Sequence, residues 1–162
     1  MIRAVSSFSQ TVGRLLRAYF VNILIIICSI QVVKRLSLDD PEVLNIIRSI
    51  YFASNVAITS LWITTYVRIK NRADKTALKW TDDKGNVTEI TVHDHDKKEL
   101  IGVVRKQILG VGVALIMHFY LGLKGAMVTQ SILPLKIALQ NNLVRIHVFQ
   151  EPVLGELARP FK

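Results

Sequence analysis

Five polar or amphipathic side chains recur at helical spacing inside one apolar stretch of this chain. At 100° per residue, Tyr51, Asn55, Thr59, Trp62 and Tyr66 fall within an arc of roughly 80°. Such a face can form hydrogen bonds between helices, each stabilising by about 0.6 kcal/mol. It can equally line a partly hydrated groove that lowers the cost of moving polar segments into a bilayer. Both interpretations stay open at this point.

Three further polar residues, Ser29, Gln31 and His118, lie in the other two apolar stretches. With the five residues above they form the predicted intramembrane polar groove. This groove is the candidate site with the most support in the sequence.

A metal site can be drawn through the run His93-Asp94-His95-Asp96. In a strand, however, alternate residues share a face, so the run equally describes two solvated histidines beside acids. We therefore predict no metal site. No phosphate-binding glycine loop, paired-histidine zinc helix or Cys-x-x-Cys pair accompanies the run. The sequence predicts neither an enzyme nor a cofactor, and no small-molecule substrate is expected.

The elements that must position these residues are three charge-free apolar stretches, Ala18–Val33, Ser49–Val67 and Gln107–Leu123, each bracketed by Lys or Arg. A membrane-spanning helix needs about 20 apolar residues. The hydrophobic fraction is 51% and the mean hydropathy is +0.36. These features predict an all-α multi-pass membrane protein with three transmembrane helices. Two stretches would reach only about 24 to 26 Å, which would thin a bilayer locally.

The chain is strongly basic, with a net charge of +9, and its first acidic residue is Asp39. Basic residues beside spans normally face anionic lipid headgroups, although a ribosome or another nucleic acid would also attract them. The candidates for contact with headgroups or a partner are Arg14, Arg17, Lys34, Arg35, Arg68, Lys70, Arg72, Arg105 and Lys106.

The N-terminal segment, residues 1–17, is predicted to be an amphipathic helix on the membrane surface. Its Arg-containing, acid-free composition also suits a mitochondrial presequence, and the following apolar stretch suits a secretory signal. We favour a retained signal-anchor. The single cysteine, Cys28, allows no disulfide within the chain.

Residues 18–67 are predicted to form a transmembrane helical hairpin whose second helix starts at Pro41 with Asp40 as its N-cap. Residues 68–106 are polar, and alternating apolar positions around the turn-forming segment 82–86 predict a β-hairpin. Its apolar face would contain Leu78, Trp80, Ile90 and Val92. The segment from Asp96 to Lys106 is expected to be helical and to lead into the third span, 107–123.

The C-terminal part, residues 124–162, is predicted to hold a short interfacial helix, Pro134–Asn142, followed by an extended tail, Leu143–Lys162. A re-entrant hairpin is the competing interpretation. With three spans, the N-terminal segment and the long loop share a side and carry thirteen Lys or Arg, against eight on the other side. The positive-inside rule then favours a cytosolic N-terminus. A re-entrant segment would return the C-terminal tail to that side as well.

From Asn22 onward the sequence resembles a fungal endoplasmic-reticulum membrane protein family, the third component of the SRP-independent (SND) targeting route. That family also carries an older label as inorganic phosphate transport proteins. The residues that carry the resemblance are Asp39-Asp40-Pro41, Ile47-Arg48, Tyr51, Thr91-Val92, Asp94, Asp96, Glu99, His118-Phe119-Tyr120-Leu121, Gln130-Ser131-Ile132, Pro134, Lys136, Ala138-Leu139, Asn142, the run Val144 to Phe149, Pro152, Gly155, Leu157 and Arg159-Pro160-Phe161-Lys162. One departure is Gln150-Glu151, where the family pattern prefers Gly and a basic residue.

The resemblance implies a multi-pass protein of the endoplasmic-reticulum membrane that helps membrane-protein clients target and insert beside the protein-conducting channel. A phosphate transporter and a structural adaptor of the channel are the alternatives. The implied partners are the lipid bilayer, the channel, the ribosome and the clients. The family brings no catalytic residue to transfer.

Overall fold

The structure, a computed structural model, describes residues 2–81 and 87–161, with the side chains of residues 13, 16, 17, 19–79 and 87–161. The chain forms long helices with one small antiparallel sheet. The elements in order are α1 (Ile2–Arg35), α2 (Pro41–Arg72), β1 (Ala77–Thr81), β2 (Val87–Thr91), α3 (Val92–Phe119), α4 (Ala126–Leu139) and α5 (Asn142–His147), followed by a 3-10 turn (Gly155–Leu157).

The start of α2 follows the predicted capping chemistry. Asp40 has an extended backbone, and its carboxylate accepts a hydrogen bond of 2.9 Å from the backbone N–H of Glu42. Pro41 occupies the first turn, where it has no N–H to leave unpaired. The prediction of an N-cap at Asp40 is therefore confirmed.

The predicted β-hairpin is also confirmed. Strands β1 and β2 pair antiparallel, and Leu78 lies directly opposite Ile90. Both side chains are half-buried. Val92 is buried but begins α3 instead of extending the strand, because Thr91 caps the helix by accepting from the N–H of Asp94. The turn 82–86 and the side chain of Trp80 lie outside the described residues.

Helices α2 and α3 run antiparallel and meet in two apolar clusters. One cluster lies towards the end of α2 and includes Ile58, Trp62, Leu100 and Val144. The other lies near the start of α2 and joins Ile47, Tyr51, Ala114 and Met127. We call the end of the bundle that carries the strands the hairpin end, and the end that carries the α1–α2 connection the turn end.

Helix α4 differs from the prediction, since it begins at Ala126 and contains Pro134 in its interior. Proline lacks the N–H that an interior position would donate. The buried stripe of Met127, Ser131 and Ala138 explains why the helix continues, because it packs against α2. The hydroxyl of Ser54 donates to the carbonyl of Ser131 across this contact.

The direction of α4 corrects the expected position of the C-terminal tail. Met127 packs near the start of α2 and Ala138 near Ile58, so α4 runs from the turn end towards the hairpin end. The C-terminal segment, residues 142–161, therefore lies at the same end as the strands. It is also not simply extended, because Asn141 caps α5 through the N–H of Leu143.

Helix α1 is one continuous helix through both the predicted surface segment and the first predicted span. It packs mainly on α4 and runs antiparallel to it. Lys136 donates to the side-chain oxygen of Asn22, and Val33 lies against Gly125. A side chain at position 125 would place its Cβ only 2.6 Å from Val33 Cγ1. Helix α1 therefore begins at the hairpin end.

Within the described residues, two helices, α2 and α3, are long and apolar enough to cross a membrane. The rest of the chain buries only 28% of the most apolar window of α2 and 11% of that of α3. A soluble protein would bury such helices in its core. Large apolar side chains such as Phe52, Ile108 and Leu109 are instead 67 to 71% exposed.

Candidate functional site

A groove of about 780 Å³ runs between α2 and α3. Thr59, Trp62 and Tyr66 reach it from α2 because positions three and four apart share one helix face. The residues from α3 and the flanking position of α2 that complete its walls are Ile63, Leu100, Ile101, Val104, Arg105, Gln107, Ile108 and Leu109. The groove is therefore largely apolar with a few polar groups along one wall.

A hydrogen bond between two amides joins the helices beside this groove. Gln107 Nε2 donates to Asn55 Oδ1 at 3.0 Å, although 52 positions separate the two residues. Asn55 in turn donates to the backbone carbonyl of Tyr51 at 2.9 Å. Since Gln107 opens the third apolar stretch, this bond fixes the register of α2 against α3.

One polar atom of the groove has no partner among the described residues. The side chain of Trp62 is 8% exposed, and its Nε1 donates to no described group. Buried indole N–H groups normally find an acceptor. This donor is enclosed by the surrounding protein, so Trp62 contributes the apolar face of its ring to the groove wall.

The structure does not bring all eight predicted groove residues together. Thr59, Trp62 and Tyr66 line the groove, and Asn55 supports it. Tyr51 is buried in the cluster near the turn end. The remaining three residues lie elsewhere: His118 contacts Arg48, Ser29 is buried on α1, and Gln31 is exposed on α1.

Gln107 was not among the predicted site residues. The sequence did contain a signal for it. Gln107 is an amide at the start of an apolar stretch, and an antiparallel pair of helices would place it opposite Asn55. Arg105, predicted as a headgroup contact, lines the same groove on α3.

A second constellation ties the C-terminal segment to α3. Asp96 is 1% exposed, and its carboxylate accepts from Arg159 Nε and Nη2, both at 2.6 Å. His147 Nε2 lies 2.8 Å from the same carboxylate and His95 Nδ1 lies 3.2 Å from it. Because an ionised carboxylate only accepts, both histidines donate. We call these four residues the C-terminal clasp.

The clasp corrects the interpretation of the His93–Asp96 run. The run forms the first turn of α3 instead of a strand, and His95 and Asp96 are buried instead of solvated. Among the described residues, no group of three His, Cys, Asp or Glu is arranged to hold a metal ion. Arg159 fills the space beside the carboxylate.

Electrostatics show how the clasp holds a buried charge. Burial raises the pKa of Asp96, but hydrogen bonds from the two histidines and from Arg159, with the charge of that guanidinium, outweigh burial. The pKa of Asp96 is held well below its usual range. Asp96 precedes the apolar stretch of α3, so the clasp lies at the hairpin end of the bundle.

The departure at Gln150-Glu151 has a structural counterpart. Gln150 has a φ of +58°, in the left-handed region that favours glycine. Glu151 forms an ion pair with Arg145, with Nη2 and Oε2 2.6 Å apart. A basic residue at position 151 would instead repel Arg145.

The predicted basic contacts occupy both ends of the bundle. Lys34 and Arg35 are exposed in the last turn of α1 at the turn end. At the hairpin end, Arg68 Nη1 donates to the carbonyl of His147 at 2.6 Å. The others that are exposed are Arg17, Lys70, Arg72, Arg105 and Lys106, and the side chain of Arg14 lies outside the described residues.

The sequence resembles one family profile and several individual proteins. The sequence profile of the family described as Phosphate transport (Pho88) matches residues 16–162. The SRP-independent targeting protein 3 of Saccharomyces cerevisiae is 33% identical over 151 residues, which is 87% of this chain and 79% of that protein.

Two proteins of Schizosaccharomyces pombe are also similar. An uncharacterized protein is 30% identical, with 90% of this chain and 76% of that protein covered. An SRP-independent targeting protein 3 homolog is 27% identical, with 75% and 67% covered. No solved structure matches. A family profile that matches from position 16 to the last residue, together with these relatives, places the chain in the Pho88 family.

Proposed function

We propose that this protein assists SRP-independent targeting and insertion of membrane-protein clients at the endoplasmic-reticulum membrane. The names of two relatives, both described as SRP-independent targeting proteins, support the targeting role. The low burial of α2 and α3 supports a location in lipid, because apolar helices exposed to water would be unstable. The mechanism we propose is physical and needs no catalytic residue.

The observation that carries this proposal is the groove between α2 and α3. Its volume is about 780 Å³, and its walls are mostly apolar. The amide pair Asn55–Gln107 and the hydroxyls of Thr59 and Tyr66 supply polar groups along these walls. A client segment with a polar flank would therefore lose less hydration energy here than in plain lipid.

Short apolar stretches add to this effect. The predicted third span, 107–123, is helical only to Phe119, where α3 ends. The helical part that starts at Gln107 therefore spans about 20 Å, less than a typical hydrocarbon core of about 30 Å. Lipid beside a short span thins to match it. We propose that thinning shortens the path that a polar client flank must cross next to the groove.

We further propose that the hairpin end faces the cytosol. Three Lys or Arg before Ala18, nine between Arg68 and Lys106 outside residues 82–86, and two between Asn142 and Phe161 belong to segments at this end. The turn end carries four: Lys34, Arg35, Arg48 and Lys124. This asymmetry fits the positive-inside rule. A protein-conducting channel and a translating ribosome are the partners that we expect at this end.

The proposal can be tested by replacing polar side chains in or beside the groove with leucine. We expect Asn55→Leu and Thr59→Leu to reduce insertion of multi-span clients into endoplasmic-reticulum microsomes. Ser60→Leu is the matched control, because Ser60 is exposed on α2 outside the groove and its hydroxyl donates to the carbonyl of Val56 in the same helix. Unchanged insertion in both groove variants at normal expression would contradict the proposal.

Phosphate transport is a second candidate, because the family description names it and the cation Lys136 is half-buried between α4 and α1. Lys136 sits in the last two turns of α4, half-buried, with Asn22 as its partner. An ionisable side chain at such depth often marks an ion path. Phosphate uptake by the purified protein in liposomes, abolished by Lys136→Gln, would establish this function.

A further inference from the structure

A second cavity, of about 450 Å³, lies at the hairpin end between the last turn of α2 and the C-terminal segment. Its charged lining consists of Arg68, Arg72 and Glu151, with His147 at its buried side. Arg68 and Arg72 are four residues apart, so both guanidinium groups project from the same face of α2. The groove described above is a separate cavity on the side of α2 that faces α3.

The two arginines differ in how firmly they are held. Arg68 Nη1 donates to the carbonyls of His147 and Val148, at 2.6 and 3.4 Å. Its Nη2 and Nε donate to no group among the described residues, and the side chain lines the cavity. Arg72 has no hydrogen bond or ion pair among the described residues. The pKa of Asp74 is lowered mainly by the hydrogen bonds from Thr76, with a smaller contribution from the charge of Arg72. One guanidinium is therefore fixed in place and the other is free to close on a ligand.

The acidic groups nearby do not neutralise this pair. Glu151 is already bound to Arg145, with Arg145 Nε and Nη2 both donating to its carboxylate. The carboxylate of Asp74 accepts from the hydroxyl and the backbone N–H of Thr76. The cavity thus keeps an excess of positive charge and several unused N–H donors.

We propose that this cavity binds the phosphate of an anionic glycerophospholipid between Arg68 and Arg72. The planar guanidinium fork matches the oxygens of a phosphate and can donate two hydrogen bonds to it. The position of these arginines favours a lipid headgroup as the source of the phosphate. The apolar stretch of α2 ends at Val67, so Arg68 lies where hydrocarbon gives way to headgroups. Basic pockets at this depth on the cytosolic side are typical headgroup sites.

This inference rests on the proposed membrane location of α2, but binding can be measured without any client. The full-length protein in detergent micelles is titrated with dioctanoyl phosphatidic acid and followed by native mass spectrometry. We expect Arg72→Gln to weaken binding about tenfold, the loss that one charge-assisted contact would cause. Arg72→Lys should retain part of the affinity, because it keeps the charge without the fork.

Lys70→Gln is the control, because Lys70 lies in the same turn and is exposed but does not line the cavity. Equal losses in Arg72→Gln and Lys70→Gln would show only diffuse charge attraction and would overturn the proposal. Displacement of the lipid by an equal concentration of inorganic phosphate would overturn the assignment to a lipid. Client insertion by Arg72→Gln, measured separately, distinguishes failure of this site from failure of the proposed function.

Discussion

Arg159 and Asp96 form a two-point ion pair across 63 positions of the chain, with both nitrogen-to-oxygen distances at 2.6 Å. Asp96 belongs to the first turn of α3, and Arg159 lies two residues from the end of the described chain. Their contact holds the C-terminal segment at the hairpin end. That segment supplies one wall of the proposed phosphate cavity, so the ion pair indirectly stabilises the cavity.

Breaking this pair should release the C-terminal segment. Arg159→Gln leaves the buried carboxylate of Asp96 with only its histidine partners, and removing one member of a buried pair typically costs about 3 to 5 kcal/mol. We expect a lower thermal midpoint and faster proteolysis after Phe149. Glu151→Gln breaks the more exposed pair with Arg145 and should lower the thermal midpoint much less, because solvent screens that pair. Equal effects of the two variants would show that the clasp adds no special stability.

The clasp should weaken in acid. Because the pKa of Asp96 is lowered on folding, its contribution is fully present above the unfolded value, near 3.8, and falls as the pH drops below it. We expect the thermal midpoint of the full chain to fall below about pH 4. The Asp96→Asn variant should have a lower thermal midpoint at neutral pH. Its midpoint should also fall less than that of the original protein when the pH drops below about 4. A parallel decline of both proteins would contradict the assignment.

Gln150 offers a stabilising substitution. Its φ of +58° strains a residue with a Cβ by about 1 kcal/mol, which glycine would relieve. Gln150→Gly should therefore raise the thermal midpoint. Gln140→Gly is the opposite control, because Gln140 has a right-handed backbone with φ of −88°. Glycine there relieves no strain and increases the entropy of the unfolded chain, so it should lower the thermal midpoint. A lower midpoint for Gln150→Gly would show that its amide makes a contact worth more than the strain.

The packing of α1 depends on a close approach at Gly125. A methyl group there would lie 2.6 Å from Cγ1 and 3.1 Å from Cγ2 of Val33, and a β-branched side chain has few rotamers with which to move aside. Gly125→Ala should destabilise α1 against α4 by about 1 to 3 kcal/mol. The double variant Gly125→Ala with Val33→Ala should recover most of this loss. A neutral single variant would indicate that α1 shifts freely on α4.

Topology can be read by glycosylation. If the hairpin end is cytosolic, an Asn-x-Thr acceptor in the connection between Leu36 and Asp40 should be glycosylated in microsomes when carried on a spacer long enough to reach the lumenal enzyme. Acceptors fused after Lys162, or placed near Gly85, should remain unmodified. Modification of the C-terminal acceptor would contradict the shared position of the C-terminal segment and the strands.

Much of the fold was predictable because it depends on neighbouring residues. Asp40 and Pro41 start α2 through capping and a fixed φ, and alternating apolar positions give strands that pair Leu78 with Ile90. The long apolar runs predicted the exposed helices α2 and α3. In the candidate site, helical periodicity correctly grouped Thr59, Trp62 and Tyr66 on one face.

What the sequence did not reveal depends on which distant surfaces meet. Pro134 opposes helix formation locally, yet burial of Met127 and Ser131 against α2 outweighs the missing donor and carries α4 through it. The partner of Asn55 proved to be Gln107 on another helix.

By itself, the sequence determined the apolar helices, their caps and the hairpin, because those features arise from spacing and backbone chemistry within a few residues. Only the tertiary structure decided that α4 returns the C-terminal segment to the hairpin end, where Arg159 meets Asp96. This ion pair forms because the packing of three helices brings distant residues together, and local periodicity cannot predict such a contact.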